Sequence, residues 1–139
     1  MIDVILVSHG SLANGLRDAT EIIIGEQEHL KVLGLYPGDT LATFTEKLNR
    51  IIDTCEDPEQ IMILADLRNG TPFNAALMVS LQKGCVCISG MNLPLLLGVL
   101  SSRDELDIKG LSALALKLGC DGIVCSDDLK KKLEKGEKH

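Results

Sequence analysis

At 139 residues with 45% apolar content, the chain is long enough for one domain with a substantial core and too apolar to be disordered. A formal charge of −6 and only 2% aromatic residues exclude a typical nucleic-acid surface, which needs basic patches and rings for base stacking. The apolar stretches are too short to span a bilayer, and Met1-Ile2-Asp3 lacks the basic start and cleavage site of a signal peptide, so no membrane segment and a cytoplasmic location are expected.

In chain order, Ile2 to Val7 is an apolar run broken only by Asp3 and reads as a strand. It ends in Ser8-His9-Gly10-Ser11, which puts His9 at a strand's carboxyl end with Ser11 as the capping residue of the next helix. Leu12 to Gly25 reads as that helix, with Leu12, Leu16, Ala19, Ile22 and Ile23 on its apolar side and Gly25 as its stop. A polar link, Glu26 to Leu30, contains His29, which lies away from the functional strand ends and is expected to be inert. Lys31 to Tyr36 reads as the second strand and Pro37-Gly38-Asp39-Thr40 as a turn. Leu41 to Cys55 is a helix burying Leu41, Phe44, Leu48, Ile51 and Ile52.

The third strand, Ile61 to Ala65, is apolar throughout, as expected of a strand covered on both faces. It runs into Asp66-Leu67-Arg68-Asn69-Gly70-Thr71-Pro72-Phe73-Asn74. Asn69 and Gly70 suit a left-handed turn, Thr71 suits a helix cap, and Pro72 suits the first helical position. A helix to about Gln82 and a strand from Cys85 to Ser89 follow. Gly90-Met91-Asn92-Leu93-Pro94 then opens a helix over Leu95 to Ser102, and Ile108 to Leu118 forms another. Gly122-Ile123-Val124-Cys125 is too short to stand as a strand alone, but could pair with an edge in its own subunit or a neighbour's. The lysine- and glutamate-rich tail from Asp127 to His139 is expected to be a solvated, fraying helix. The alternation predicts a single α/β domain over residues 1–139: a doubly wound, mostly parallel sheet of four strands plus a short C-terminal strand.

The cysteines Cys55, Cys85, Cys87, Cys120 and Cys125 are odd in number and form no C-x-x-C pair. Reduced core thiols are the expected state, with a structural zinc site as the competing reading.

His9 and Asp66 both fall at strand carboxyl ends, the edge where open α/β sheets bind ligands. A carboxylate accepting the proton of one imidazole nitrogen leaves the other bare and able to take a phosphoryl group. Gly10, Ser11, Gly70 and Thr71, at two helix starts, could supply N–H donors to phosphoryl oxygens. By spacing alone, a strand-end histidine with a nearby aspartate is more often a structural hydrogen-bonded pair than a catalytic one. A receiver-type phosphoaspartate site lacks its acidic cluster at the first strand's end. No P-loop, dinucleotide-binding glycine pattern or G-x-S-x-G elbow occurs.

Ser8-His9-Gly10, Gly25-Glu26-Gln27, Asp66-Leu67-x-x-Gly70-Thr71-Pro72-Phe73-Asn74 and Gly90-Met91-Asn92-Leu93-Pro94 together resemble the mannose-type IIA component (mannose/fructose/sorbose family) of the bacterial sugar phosphotransferase system. The resemblance runs from Ile2 to about Cys125. It implies a phosphotransferase phosphorylated on His9, with Asp66 as hydrogen-bond partner and the Gly70-Thr71 loop holding the phosphoryl group. The implied donor is the histidine phosphocarrier protein and the implied acceptor a IIB component of sugar transport. A homodimer that exchanges its C-terminal strand is implied, and neither metal nor organic cofactor. The family usually has two glycines where this chain has Asn69-Gly70; Asn tolerates a left-handed turn best among other residues. Arg68 beside it could attract a phosphorylated partner, though a solvated loop residue is the favoured reading. Two further readings remain: a regulatory binding module that does not pass phosphate on, and the phosphotransferase subunit serving dihydroxyacetone kinase. The sugar served is not encoded here.

Overall fold

The computed structural model of the chain describes residues 1–136; the end of the tail, including His139, lies outside them. The elements are β1 (Asp3–His9), α1 (Leu12–Ile24), β2 (Leu30–Leu35), α2 (Leu41–Asp53), β3 (Ile61–Ala65), α3 (Thr71–Lys83), β4 (Val86–Ser89), α4 (Leu93–Ser102), α5 (Ile108–Asp121) and α6 (Ser126–Glu134). A short 3₁₀ turn, Pro58–Gln60, leads into β3 and is capped by the Asp57 side chain.

All four strands are parallel, in the order β2-β1-β3-β4. The two central strands carry the continuous apolar runs because both of their faces are covered. Val4, Leu6, Met62 and Leu64 point to one layer, against Ala13 of α1, Leu96 and Val99 of α4, and Leu111 and Ala115 of α5. Ile5, Val7, Ile61 and Ile63 point to the other, against Phe44, Leu48 and Ile52 of α2 and Ala75, Ala76 and Val79 of α3. Cys85 and Cys87 share that second layer. After β1 the chain turns outward to β2; after β3 it moves the opposite way to β4. The connection therefore reverses between β1 and β3, which opens a crevice at their carboxyl ends.

Two expectations need correction. The apolar side of α1 is not its buried side. Leu12, Ile22 and Ile23 are exposed, Ile22 by 86%, and the residues that face the sheet are Ala13 and Thr20 with Leu16 beside them. Likewise Leu41 is exposed and the α2 core face is Phe44, Leu48 and Ile52. The expected C-terminal strand does not form within one chain: Gly122 caps α5, and Ile123 to Cys125 is an exposed link without a strand partner. The tail is helical from Ser126, with no buried residue.

Candidate functional site

The register pairs Val7 of β1 with Ala65 of β3, so the residues that follow, Ser8-His9 and Asp66, emerge side by side at the crevice. One carboxylate oxygen of Asp66, Oδ2, accepts the His9 backbone N–H at 2.9 Å and lies 2.7 Å from His9 Nδ1. The other, Oδ1, accepts the Leu67 N–H at 2.9 Å. The Asp66 side chain is 7% exposed and that of His9 46%. Burial alone would raise the Asp66 carboxyl; the donors from His9 and Leu67 outweigh it and hold the group below its ordinary value. An ionised carboxylate can only accept, so Nδ1 carries the proton, and in the neutral ring Nε2 keeps a free lone pair.

Nε2 faces the start of α3. A Cβ placed on Gly70 would stand 2.8 Å from His9 Cε1 and 3.3 Å from Nε2. Gly70 is therefore needed for closeness rather than for backbone freedom. Its φ is −174°, extended backbone open to any residue, and Asn69 is not left-handed either. The turn expected at Asn69-Gly70 is thus of another kind, and Asn69 bears no conformational strain. Gly70, not Thr71, occupies the α3 N-cap, without a side-chain bond; the helix starts one residue earlier than expected, so Thr71 is its first residue and Pro72 its second. The N–H groups of Gly70 and Thr71 have no protein partner among the described residues.

At the start of α1, Ser11 stands at the N-cap but makes no capping bond. The work falls to Ser8: fully buried, its Oγ accepts the Ala13 N–H at 2.8 Å and donates to the Gly10 carbonyl at 3.3 Å. Gly10 is left-handed, with φ +53°, and its N–H donates to Leu35 O at 2.8 Å. That N–H extends the β1–β2 ladder, so the donors left at this helix start are those of Ser11 and Leu12. Gly34 makes room beneath the turn, since a Cβ there would come within 2.3 Å of the Gly10 carbonyl oxygen. Sequence reasoning passed over both Ser8 and Gly34. A polar residue closing an apolar strand was the available signal for Ser8; nothing local marked Gly34. The Gly90–Pro94 segment supports the crevice from the far side: Met91 N–H donates to Ala65 O at 3.0 Å, and Asn92 caps α4 through Leu95 N–H while donating to Gly119 O.

A second pair lies at the opposite end of the sheet. His29 Nδ1 is 2.9 Å from Asp3 Oδ1, beside a cavity of about 730 Å³ lined by Asp3, His29, Lys31, Thr54, Asp57 and Gln60 among others. The His9 imidazole, by contrast, stands open to solvent at the rim of the sheet. That suits a reaction between two proteins better than enclosure of a small substrate. Among the described residues no group of three or more His, Cys, Asp or Glu side chains could hold a metal ion, and no helix is long and apolar enough to cross a membrane. All five cysteines are unpaired, and burial pushes the Cys55, Cys85 and Cys87 thiols up.

A family model described as PTS system fructose IIA component matches residues 3–116. The chain is 31% identical over 133 residues to the PTS system fructose-specific EIIA component of Bacillus subtilis (strain 168), covering 94% of this chain and 91% of that one. It is 32% identical over 124 residues to the PTS system mannose-specific EIIAB component of Escherichia coli (strain K12), covering 88% of this chain but spanning only 38% of that longer protein. The solved structure of phosphotransferase system component EIIA from Streptococcus agalactiae superposes with a TM-score of 0.86 at 28% identity, over 92% of this chain and 99% of that one.

Proposed function

The chain belongs to the mannose-type IIA family of the bacterial sugar phosphotransferase system, and on that premise we propose that His9 is its phosphoryl carrier. The observation that carries this reading is the pairing of an exposed imidazole with a buried, ionised Asp66 on one nitrogen and a helix start against the other.

In the proposed reaction the Nε2 lone pair of His9 attacks the phosphorus of a phosphohistidine on the histidine phosphocarrier protein. The donor's P–N bond breaks and its electron pair returns to the donor imidazole. The Nδ1 proton stays on His9, and Asp66 offsets the positive charge that develops in the ring. N–H groups of Gly70 and Thr71, with those of Ser11 and Leu12, face the incoming phosphoryl oxygens, favoured by the positive ends of α3 and α1. Asp66 sits behind the ring, where its charge does not oppose the phosphate. Transfer onward to a histidine-bearing or other nucleophilic IIB side chain reverses these steps, and the P–N bond on His9 breaks with its pair returning to Nε2.

A homodimer forms part of the same proposal. Ile123 and Val124 are 77% and 66% exposed in an unpaired link, and β4 leaves one sheet edge open. Sedimentation of the wild-type chain as a dimer, and of Ile123→Lys as a monomer, would support it; a monomeric wild type would refute it.

The test of the carrier role is incubation with phosphoenolpyruvate, the general phosphotransferase enzyme and the histidine phosphocarrier protein. An acid-labile, base-stable phosphate is expected on wild type and on His29→Ala, and none on His9→Ala. Label persisting on His9→Ala would overturn the assignment, and label that no IIB component can remove would favour a regulatory module.

A further inference from the structure

The chain has four arginines, and three are engaged. Arg103 is buried and donates to the carbonyls of Ile2, His29 and Glu28. Arg50 bonds Glu46 along α2, and Arg17 reaches Asn14 along α1. Arg68 is exposed and makes no hydrogen bond or ion pair among the described residues.

Its place in the chain gives that freedom a use. The loop that carries it is pinned at both ends to one imidazole. Asp66, two residues before, bonds His9 Nδ1 at 2.7 Å; Gly70, two residues after, packs against Cε1 and Nε2. Two residues span at most about 7 Å, so the Arg68 backbone lies within that distance of both anchors, and its long side chain covers a comparable span. Lys47 of α2 is already bound to Asp39 at 2.8 Å.

The charge at the site asks for a cation. A phosphoryl group adds about two negative charges beside Asp66, on a chain of net charge −6. The helix starts offer only partial positive charge. We propose that Arg68 folds over the phosphoryl group on His9 Nε2 during transfer, its planar fork donating to two phosphoryl oxygens. The inference rests on His9 being the phosphoryl carrier. Arg68 stays protonated throughout and forms no covalent bond; it stabilises charge spread over the oxygens as the donor's P–N bond breaks and the new one forms. A merely solvated arginine would leave the chemistry unchanged.

The experiment is rapid-quench transfer from the phosphorylated histidine phosphocarrier protein to wild type, Arg68→Gln and Arg68→Lys, across a range of donor concentrations. Arg68→Gln is expected to lower the rate at saturating donor about 10- to 100-fold, less than the 10³–10⁵-fold of a fully enclosed arginine finger because this residue is open to solvent. Arg68→Lys should recover part of the loss, since it keeps the charge without the fork. The melting temperature should not move, because the exposed side chain makes no hydrogen bond or ion pair among the described residues of the unphosphorylated protein. An unchanged rate at saturation overturns the proposal, as does a loss confined to the donor concentration needed for half-saturation, which would mean docking alone. If wild type itself takes no phosphate on His9, the carrier assignment fails instead, and the same assay reads that directly.

Discussion

Replacing Gly70 with alanine isolates the geometry on which the site depends. The new Cβ would lie 2.8 Å from His9 Cε1 and 3.3 Å from Nε2, whereas carbon contacts are comfortable at about 3.5–4.0 Å. The imidazole must retreat by roughly 0.7 Å. The backbone need not change, because φ at residue 70 is −174° and an alanine adopts it freely. The yielding part is therefore the ring, and its retreat from Gly70 distorts the 2.7 Å hydrogen bond to Asp66 behind it. A bond to a charged group contributes about 1.5–3 kcal/mol, and each 1.36 kcal/mol is tenfold in rate, so transfer should slow about 10- to 100-fold. The assay is rapid-quench phosphoryl transfer alongside thermal melting. The expected result is a slow variant whose stability lies within about 1 kcal/mol of wild type, as for a substitution away from the core. Wild-type transfer by Gly70→Ala would refute the claim that ring position against α3 governs the reaction. Loss of folding would refute the claim that the ring is the part that gives way.

Three further outcomes follow from other parts of the structure. Asp66→Asn should transfer at least about tenfold more slowly, because an amide no longer offsets the ring's charge. It should also flatten acid unfolding: the wild-type carboxyl is held below its ordinary value, so its stabilisation is complete above the unfolded-state value near 4 and is lost as pH falls through the lower folded value. Identical acid melts for the two proteins would remove Asp66 from that account. Arg103→Met strands the carbonyls of Ile2, Glu28 and His29 and should cost about 3 kcal/mol or more in denaturant unfolding, while transfer by the folded protein is unchanged. Gly15→Ala, inside α1 with open space around its Cβ, should stabilise by about 0.5–1 kcal/mol without touching transfer; a loss of stability there would mean α1 is packed differently.

The parts of this fold that could be read from the residues are those where one physical demand acts alone. β1 and β3 are buried on both faces, so their composition is uniform and their ends, hence His9 and Asp66, are placed to the residue. Where two demands meet, the reading slips. On α1 Leu12, Ile22 and Ile23 fall outward, while the sheet takes Ala13 and Thr20 with Leu16 beside them. At Asn69-Gly70 the composition suggests a left-handed turn, but the glycine admits the imidazole of His9, 61 residues earlier in sequence, a contact no local pattern encodes. Ser8 replaces Ser11 as the side chain that fixes α1 for the same reason: a buried hydroxyl at the strand's end reaches the helix N–H that an exposed one leaves unmet.

The two histidine–aspartate pairs make the limit of spacing arguments concrete. His9–Asp66 and His29–Asp3 have nearly the same separation, 2.7 and 2.9 Å, and similarly exposed imidazoles, 46% and 50%. What separates them is the polarity of the chain around each. Every strand ends at the His9 rim and every following helix begins there, so its unpaired N–H groups and positive dipole ends gather where a dianion would sit. At the other rim α1 and α2 finish, at Gly25 and Thr54, and their carbonyl ends join Asp3, Glu56 and Asp57 around His29. A phosphoryl group on His29 would face helix carbonyl ends and the carboxylates of Asp3, Glu56 and Asp57, with the cation of Lys31 also lining that cavity; on His9, in the proposed reaction, it faces N–H donors and Arg68. The direction of a parallel sheet thus favours His9 for the proposed chemistry where two equivalent hydrogen bonds leave the choice open. If phosphate were found on His29 of the wild-type protein and not on His9, the field of the helices would not be what selects the site.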